Sequence, residues 1–131
     1  MRRGDRRTQL GARCCGFEAD GNPHVSYRAT LQVIAPDQLG RWIRDPRDGL
    51  VRALPTNPNL AAFYSERGAG VTLEFMGRGR IEDAESVREA IYAASPKLER
   101  DMDWRKAGVA IVIDVERVEG RDSSGRVLMA R

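Results

Sequence analysis

Residues 20–33 read DGNPHVSYRATLQV, in which a tight-turn signal leads directly into alternating apolar and polar residues. Gly and Asn tolerate positive φ and Pro fixes its own φ, so residues 20–23 predict a turn. The alternation over 24–34 predicts a strand with one buried face. Its other face carries hydroxyl, guanidinium and amide groups in place of the scattered Lys and Glu of an ordinary wet sheet face: Ser26, Arg28, Thr30 and Gln32.

Strand and turn signals continue on both sides of this stretch. The sequence predicts six main strands at short spacing, with a short last strand at 127–129: 13–19, 24–34, 38–44, 59–64, 71–81 and 109–118. Gly77 and Gly79 inside the fifth strand indicate a bulge or a close approach by another group. Antiparallel hairpins of this kind close best as a small barrel, because closure removes the exposed edges of the sheet.

Two or three helices complete a predicted fold that is mostly β. Asp45 is expected to cap a short helix that begins at Pro46. Asp83 is expected to cap a longer helix over 84–94, whose apolar residues recur at helical spacing. The polar segment 97–106 is predicted to be either another helical turn or a loop.

The 131 residues fit a single domain, and the positive charge is concentrated at the N-terminus. The chain has 22 basic and 19 acidic residues. Subtracting the five arginines and one aspartate of residues 1–13 leaves 17 basic and 18 acidic residues, a net charge of −1. The sequence therefore divides into an arginine-rich tail over 1–13, expected to be disordered, and a folded domain over 14–131.

The composition argues against nucleic-acid, membrane and metal partners. The tail interleaves no aromatic residues with its arginines, so it lacks a stacking platform for single-stranded nucleic acid. No apolar run approaches the ~20 residues of a membrane-spanning helix. The only cysteines, Cys14 and Cys15, are sequence neighbours that rarely reach disulfide geometry, and with one histidine they make no metal-binding set. Reduced thiols in a cytoplasmic protein are therefore expected.

Five segments, in this order, resemble the pyridoxamine 5′-phosphate oxidase-related family of flavin-binding split β-barrels. They are DGNPHVSYRATLQV (20–33), RWIRDP (41–46), LVRALPTNPNLAAFY (50–64), VTLEFMGRGRIED (71–83) and GVAIVIDVERVEG (108–120). The most specific pieces are the Asn-Pro run over 54–60 and the Gly-x-Gly-x-Ile strand followed by Glu-Asp. The likeness covers roughly residues 17–119. It implies a six-stranded antiparallel split β-barrel that forms a homodimer, with two cofactor sites between the subunits.

The resemblance implies a set of cofactor-binding residues: Arg28, Thr30, Leu31, Trp42, Arg44 and Arg47. Arg28 and Arg44 bind the cofactor phosphate, with Arg47 as a helper. Thr30, Leu31 and Trp42 contact the flavin ring or the ribityl chain. The predicted short helix aims its free N–H groups at the phosphate, which suits the preference of helix N-termini for anions.

Two positions depart from the family pattern, because Val33 and Leu50 stand where many members have lysine. FMN is the cofactor that the resemblance implies, and a deazaflavin or no retained cofactor are the alternatives. No metal ligand is assigned, since the acidic residues at the start of the longer helix are interpreted as capping groups: Glu82, Asp83 and Glu85.

The implied function is an FMN- or deazaflavin-dependent oxidoreductase that passes electrons to a small organic acceptor, because the cofactor does the chemistry in such proteins. Two alternatives stay open: a non-catalytic protein of the same fold that stores or senses a cofactor, and a nucleic-acid-associated factor that uses the arginine tail. No catalytic residue is assigned. His24, Asp101 and Asp103 are expected in solvent, while Trp42 and Trp104 are compatible with core, dimer-interface or cleft positions.

Overall fold

The structure is a computed structural model that describes residues 9–17, 23–66 and 68–130, with side chains from Leu31 onward. This part of the chain contains seven strands: β1 (Gln9–Phe17), β2 (Pro23–Ala35), β3 (Gln38–Ile43), β4 (Asn59–Glu66), β5 (Val71–Glu82), β6 (Val109–Asp122) and β7 (Gly125–Ala130). It also contains three helices: α1 (Gly49–Ala53), α2 (Glu85–Ala94) and α3 (Lys97–Met102).

Six of the strands close into an antiparallel barrel. The order in the sheet is β3-β2-β1-β4-β5-β6-β7, and β3 also pairs with β6, so the first and sixth strands of that order join. The β3–β6 ladder runs from Gln38↔Asp114 to Ile43↔Val109. The second half of β6 continues beyond the closure and pairs with β7. The predicted six-stranded antiparallel barrel is therefore confirmed, and the expected last strand is the seventh.

Two apolar clusters hold the barrel and its helices together. The main core lies inside the barrel, where α1 contributes Leu50 and Val51 to the strand residues Leu31, Ile43 and Ile111. The second cluster lies outside the barrel, where α2 covers the outer face of β3 and β6 with a smaller set of buried residues: Trp42, Ile91, Ala110 and Val112. Burial of apolar area drives both contacts.

Both predicted helix caps are wrong. Helix α1 begins at Gly49 and not at Pro46, and its first turn is capped by Asp48, whose carboxylate accepts from Leu50 N. Helix α2 is preceded by Ala84, which makes no side-chain capping bond, so Asp83 is not its cap. Capping carboxylates are favoured at these positions in general, but the sequence offers two aspartates before α1 and the chain uses the later one.

A register shift interrupts the predicted alternation of β2. Leu10 of β1 pairs with Leu31, whereas Ala12 pairs with Arg28, so the single residue Gly11 lies opposite two residues of β2, Ala29 and Thr30. An extra residue in one strand breaks the two-residue period at that point. The single polar face predicted across the whole of 24–34 therefore does not continue through the shift.

The glycine-rich strand β5 contains the bulge that its sequence predicts. The register between β5 and β6 shifts between Met76 and Gly77. A Cβ at Gly77 would collide with the backbone carbonyl of Asp114 on β6. The close approach indicated by the sequence is therefore an approach of the neighbouring strand's backbone.

The structure also places the end of the arginine-rich tail. Strand β1 starts at Gln9 and pairs with both β2 and β4, so residues 9–13 lie in the sheet. Residues 1–8 lie outside the described residues.

Candidate functional site

The barrel wall opens between β2 and β3. The two strands pair only near their connecting turn, from Ala35↔Gln38 to Gln32↔Gly40. Beyond that point, the described residues of β2 pair with β1, and those of β3 pair with β6. The segments 23–31 and 41–43 are thus neighbours in the barrel without a shared ladder, and we call the space between them the β2–β3 opening.

The site residues predicted from the sequence flank this opening on both sides. Arg28, Thr30 and Leu31 belong to β2, whereas Trp42 lies on β3 and Arg44 follows its last residue. The side chains of Arg28 and Thr30 lie outside the described part of the structure. Leu31 is completely buried in the barrel core, so the described surface offers none of its atoms to a flavin ring.

Arg44 is the guanidinium that the structure places at the end of β3. Its Nε donates to a carboxylate oxygen of Glu99 on α3 at 2.9 Å, and its side chain is 41% exposed. Arg47 lies farther out, with a side chain 88% exposed and its Nε 3.4 Å from the carboxylate of Asp45. Arg44 is therefore a partly sheltered cation at the opening, and Arg47 is a solvated one.

The first turn of α1 does not present the anion site that the resemblance implies. The carboxylate of Asp48 already accepts from Leu50 N at 2.9 Å. A negative side chain at this position satisfies a free donor and repels an approaching phosphate. Leu50 itself, at a position where many relatives have lysine, is 3% exposed and belongs to the core.

A buried carboxylate organises the same end of β3. Trp42 Nε1 donates to Oδ2 of Asp103 at 2.8 Å, and Gly108 N donates to the same oxygen at 2.9 Å. Ala107 N donates to Oδ1 at 2.9 Å. Burial by itself raises the pKa of Asp103, but these three hydrogen bonds and the charge of Arg44 outweigh it and hold the pKa below its ordinary value. The expectation that Asp103 lies in solvent is wrong, since the residue is 8% exposed.

The two tryptophans take different positions. Trp42 is 5% exposed, meets Tyr92 edge-to-face at a centroid distance of 5.2 Å and lies 4.9 Å below the guanidinium of Arg88. It is therefore a core residue between β3 and α2. Trp104 is 70% exposed, with the guanidinium of Arg105 over its ring. Of the positions expected for Trp104, this exposure excludes the core.

Gln32, one of the residues predicted on the polar face of β2, has a structural role. The residue is 2% exposed, and its Nε2 donates to the carbonyl of Ile91 at 2.8 Å and to the Ser95 hydroxyl at 3.3 Å. It ties the end of α2 to the barrel wall. This amide is structural, because a buried polar group needs such partners.

A cavity of about 260 Å³ lies between α2 and the outer face of the sheet, close to the turn between β2 and β3. Arg80 and Glu82 of β5 form part of its wall. Arg80 donates to the carboxylates of both Glu82 and Asp114. The hydrogen bond from Arg80 to Asp114 is the main cause that raises the pKa of Arg80 above its ordinary value.

Both carboxylates of this group are held ionised. The amide of Gln38 and then Arg80 lower the pKa of Asp114, while the backbone N–H of Ala84 and then Arg80 lower the pKa of Glu82. Clusters of shifted titratable groups beside a cavity are typical of binding sites. Sequence reasoning missed this group, because it assigned Glu82 to helix capping alone.

Three solved structures share the architecture of this chain. A pyridoxamine 5′-phosphate oxidase-related, FMN-binding protein from Nostoc punctiforme PCC 73102 gives a TM-score of 0.74 at 12% identity, covering 92% of this chain and 80% of that chain. HupZ of Group A Streptococcus gives 0.69 at 14% identity, covering 93% and 91%. An F420 reductase gives 0.61 at 19% identity, covering 83% and 88%.

The chain has the fold of the pyridoxamine 5′-phosphate oxidase-related proteins. The resemblance in the sequence is thereby confirmed for the fold. No protein-family profile matches the chain, and no curated protein sequence matches it.

The described residues bear on two other kinds of feature, a metal site and a membrane-spanning helix. They contain no group of three or more His, Cys, Asp or Glu side chains placed to hold a metal ion. Their helices are all too short or too polar to cross a membrane.

Proposed function

We propose that this chain binds a flavin-type cofactor at the β2–β3 opening and acts as an oxidoreductase on a small organic acceptor. The observation that carries the proposal is the opening itself, since Arg28 belongs to the strand on one side of it and Arg44 follows the strand on the other. The fold is shared with an FMN-binding protein and with an F420 reductase. FMN is the first candidate cofactor and a deazaflavin is the second.

The phosphate of the cofactor would be bound by arginine side chains and not by the N–H groups at the start of a helix. A guanidinium offers paired N–H donors that match phosphate oxygens. Arg44 fits this role because it is partly sheltered and is held through its Nε by Glu99. Arg47 fits only as an auxiliary cation, since it is solvated and bound to Asp45. Asp48 makes α1 unsuitable as an anion site.

When bound, a flavin would supply the electron transfer, and this chain would bind and orient it. Leu31 and Trp42 are both buried, Leu31 in the barrel core and Trp42 beneath α2, so they would fix the two strands that flank the opening. Thr30 lies beside the register shift of β2, at the edge of the opening. The chain's own contribution would therefore be positioning and phosphate recognition, which is what cofactor-dependent redox proteins require of the polypeptide.

A homodimer in the cytoplasm is part of the proposal. Exposed apolar residues on the last strand support it, because Leu128 is 59% and Met129 is 63% exposed in the single chain. Apolar area of this kind is commonly buried by a second copy. Light scattering after size exclusion would give twice the mass of the 14.6 kDa chain. A stable monomer would contradict this part of the proposal.

The experiment that tests the cofactor proposal is an absorption spectrum of the purified protein, followed by titration with FMN and with a deazaflavin. Saturable binding of either cofactor supports the proposal, and bleaching of the bound flavin by a reduced nicotinamide with turnover supports an enzyme. Binding without turnover favours the storage or sensing alternative. No binding of either cofactor would contradict the proposal.

A further inference from the structure

The cavity under α2 is a second site with its own chemistry. One wall is apolar and is formed by Val87 and Ile91 of α2, facing Ile34 and Val112 of the sheet. The lining also includes the charged residues Arg80 and Glu82, and we call this part of the cavity its polar end. A concave space with an apolar wall and a few convergent polar groups is the usual form of a small-molecule site. Its volume, about 260 Å³, limits the occupant to a small molecule.

The ion group at the polar end carries a negative charge, to which the lining residue Glu82 and the neighbouring Asp114, outside the lining, both contribute. Arg80 bridges two carboxylates, those of Glu82 and Asp114. Its Nε donates to Asp114 at 3.1 Å, and one of its Nη atoms donates to Glu82. Two ionised carboxylates beside one guanidinium leave a net charge of −1. The guanidinium is therefore committed to internal partners, and an incoming cation is favoured over an incoming anion.

Neighbouring groups strengthen the same preference. Asp83 and Glu85 are exposed and follow Glu82 by one and three residues in the sequence, at the start of α2. The Ser86 hydroxyl lines the cavity and adds a polar group near the carboxylate of Glu82. The polar end thus offers oxygen atoms and an excess of negative charge, which is the environment that an ammonium group requires.

We propose that this cavity binds a small molecule in which a protonated amine is joined to a compact apolar group. The ammonium lies toward Glu82, and the apolar group packs between Val87, Ile91 and Val112. The site is separate from the β2–β3 opening, because its lining lies on the outer face of the sheet beneath α2. The proposal therefore stands or fails independently of cofactor binding.

Benzylamine is the probe, with benzyl alcohol and benzoate as matched neutral and anionic compounds. We expect benzylamine to shift the backbone amide NMR signals of residues 86–91 saturably. It should bind at least tenfold more tightly than the other two compounds. Benzoate binding as tightly as benzylamine, or shifts spread evenly over the chain, would overturn the proposal.

A first pair of variants tests whether benzylamine binds in this cavity. Ala90→Phe fills the cavity that Ala90 lines, while Ala93→Phe places the same ring on an exposed α2 position outside the lining. We expect at least tenfold weaker benzylamine binding for the first and no change for the second. Melting temperatures within a few degrees of wild type establish that both variants fold. Equal effects of the two variants would overturn the assignment.

The charge is tested in the same way. Glu82→Gln removes a lining carboxylate, and Glu85→Gln removes a nearby exposed one. We expect the first to weaken benzylamine binding at least fivefold and the second less than twofold, with benzyl alcohol unaffected by either. Unchanged benzylamine affinity in Glu82→Gln would contradict recognition of the ammonium by this carboxylate.

Discussion

The indole N–H of Trp42 donates a 2.8 Å hydrogen bond to Oδ2 of Asp103, which lies 61 residues later in the chain. The same carboxylate accepts from the backbone N–H groups of Ala107 and Gly108. One buried acid therefore joins the segment after α3 to the strand that borders the β2–β3 opening.

Asp103→Asn should destabilise the fold by about 2–3 kcal/mol, because an amide N–H₂ would face at least one of the three donors and leave a buried donor unsatisfied. Trp42→Phe removes one of those bonds and a T-shaped aromatic edge contact, so about 1–2 kcal/mol is expected. Urea unfolding gives both values. Asp101→Asn is the control, since Asp101 is exposed and forms a surface ion pair with Lys97. Equal stabilities of the Asp101 and Asp103 variants would contradict the network.

Stability should fall as the pH is lowered into the acid range. The pKa of folded Asp103 lies below its ordinary value of 3.8, so the unfolded chain binds the proton first. The contribution is fully present above that ordinary pKa and is lost as the pH falls through the folded pKa, from about pH 5 downward. Urea unfolding at a series of pH values should show a shallower acid slope in Asp103→Asn than in wild type. Parallel slopes would contradict this assignment.

The barrel was predictable because its signals are local. Alternation, turn residues and the glycines of β5 are all contained within single segments, and they predict the strands and the bulge at Gly77. The alternation failed in β2, where the extra residue opposite Gly11 is set by pairing with β1. A shift of that kind depends on a partner strand that the segment's own sequence does not specify.

The site was less predictable because it depends on contacts between distant residues. Asp103 belongs to a polar segment and gives no sign of burial until β3 brings Trp42 to it. Glu99 is likewise an ordinary helix residue until it meets Arg44. The cap of α1 was misassigned because Asp45 and Asp48 both suit a helix start. The sequence singled out Arg44 and Arg47 as candidates and gave no sign of the acids that bind them.

Glu99→Gln should strengthen binding of FMN at the opening. The Glu99 carboxylate holds the Nε of Arg44 at 2.9 Å and so competes with a phosphate for that guanidinium. We expect FMN to bind about three- to tenfold more tightly, and riboflavin, which lacks the phosphate, to be unaffected. Fluorescence titration measures both. Asp101→Asn, on the same helix and away from Arg44, serves as the control, and a gain of FMN affinity there would contradict the mechanism.

Gly77→Ala should destabilise the barrel by about 1–3 kcal/mol, because a Cβ there would overlap the backbone carbonyl of Asp114 and force β5 away from β6. Gly68→Ala is the matched control. The nearest atom to a Cβ at Gly68 is Oε1 of Glu66, at 3.6 Å, so little change is expected. Thermal unfolding compares the two. A stable Gly77→Ala variant would contradict the close approach of the two strands.

The ratio of FMN affinity to riboflavin affinity, measured in wild type, Arg28→Ala and Arg44→Ala, tests the central claim most directly. If the two arginines bind the cofactor phosphate at the opening, each substitution weakens FMN roughly tenfold to a hundredfold, as expected for a charged hydrogen bond. Riboflavin affinity then stays constant, and Arg78→Ala, an exposed arginine of β5, changes neither. An FMN affinity that is unchanged in both Arg28→Ala and Arg44→Ala would contradict the account.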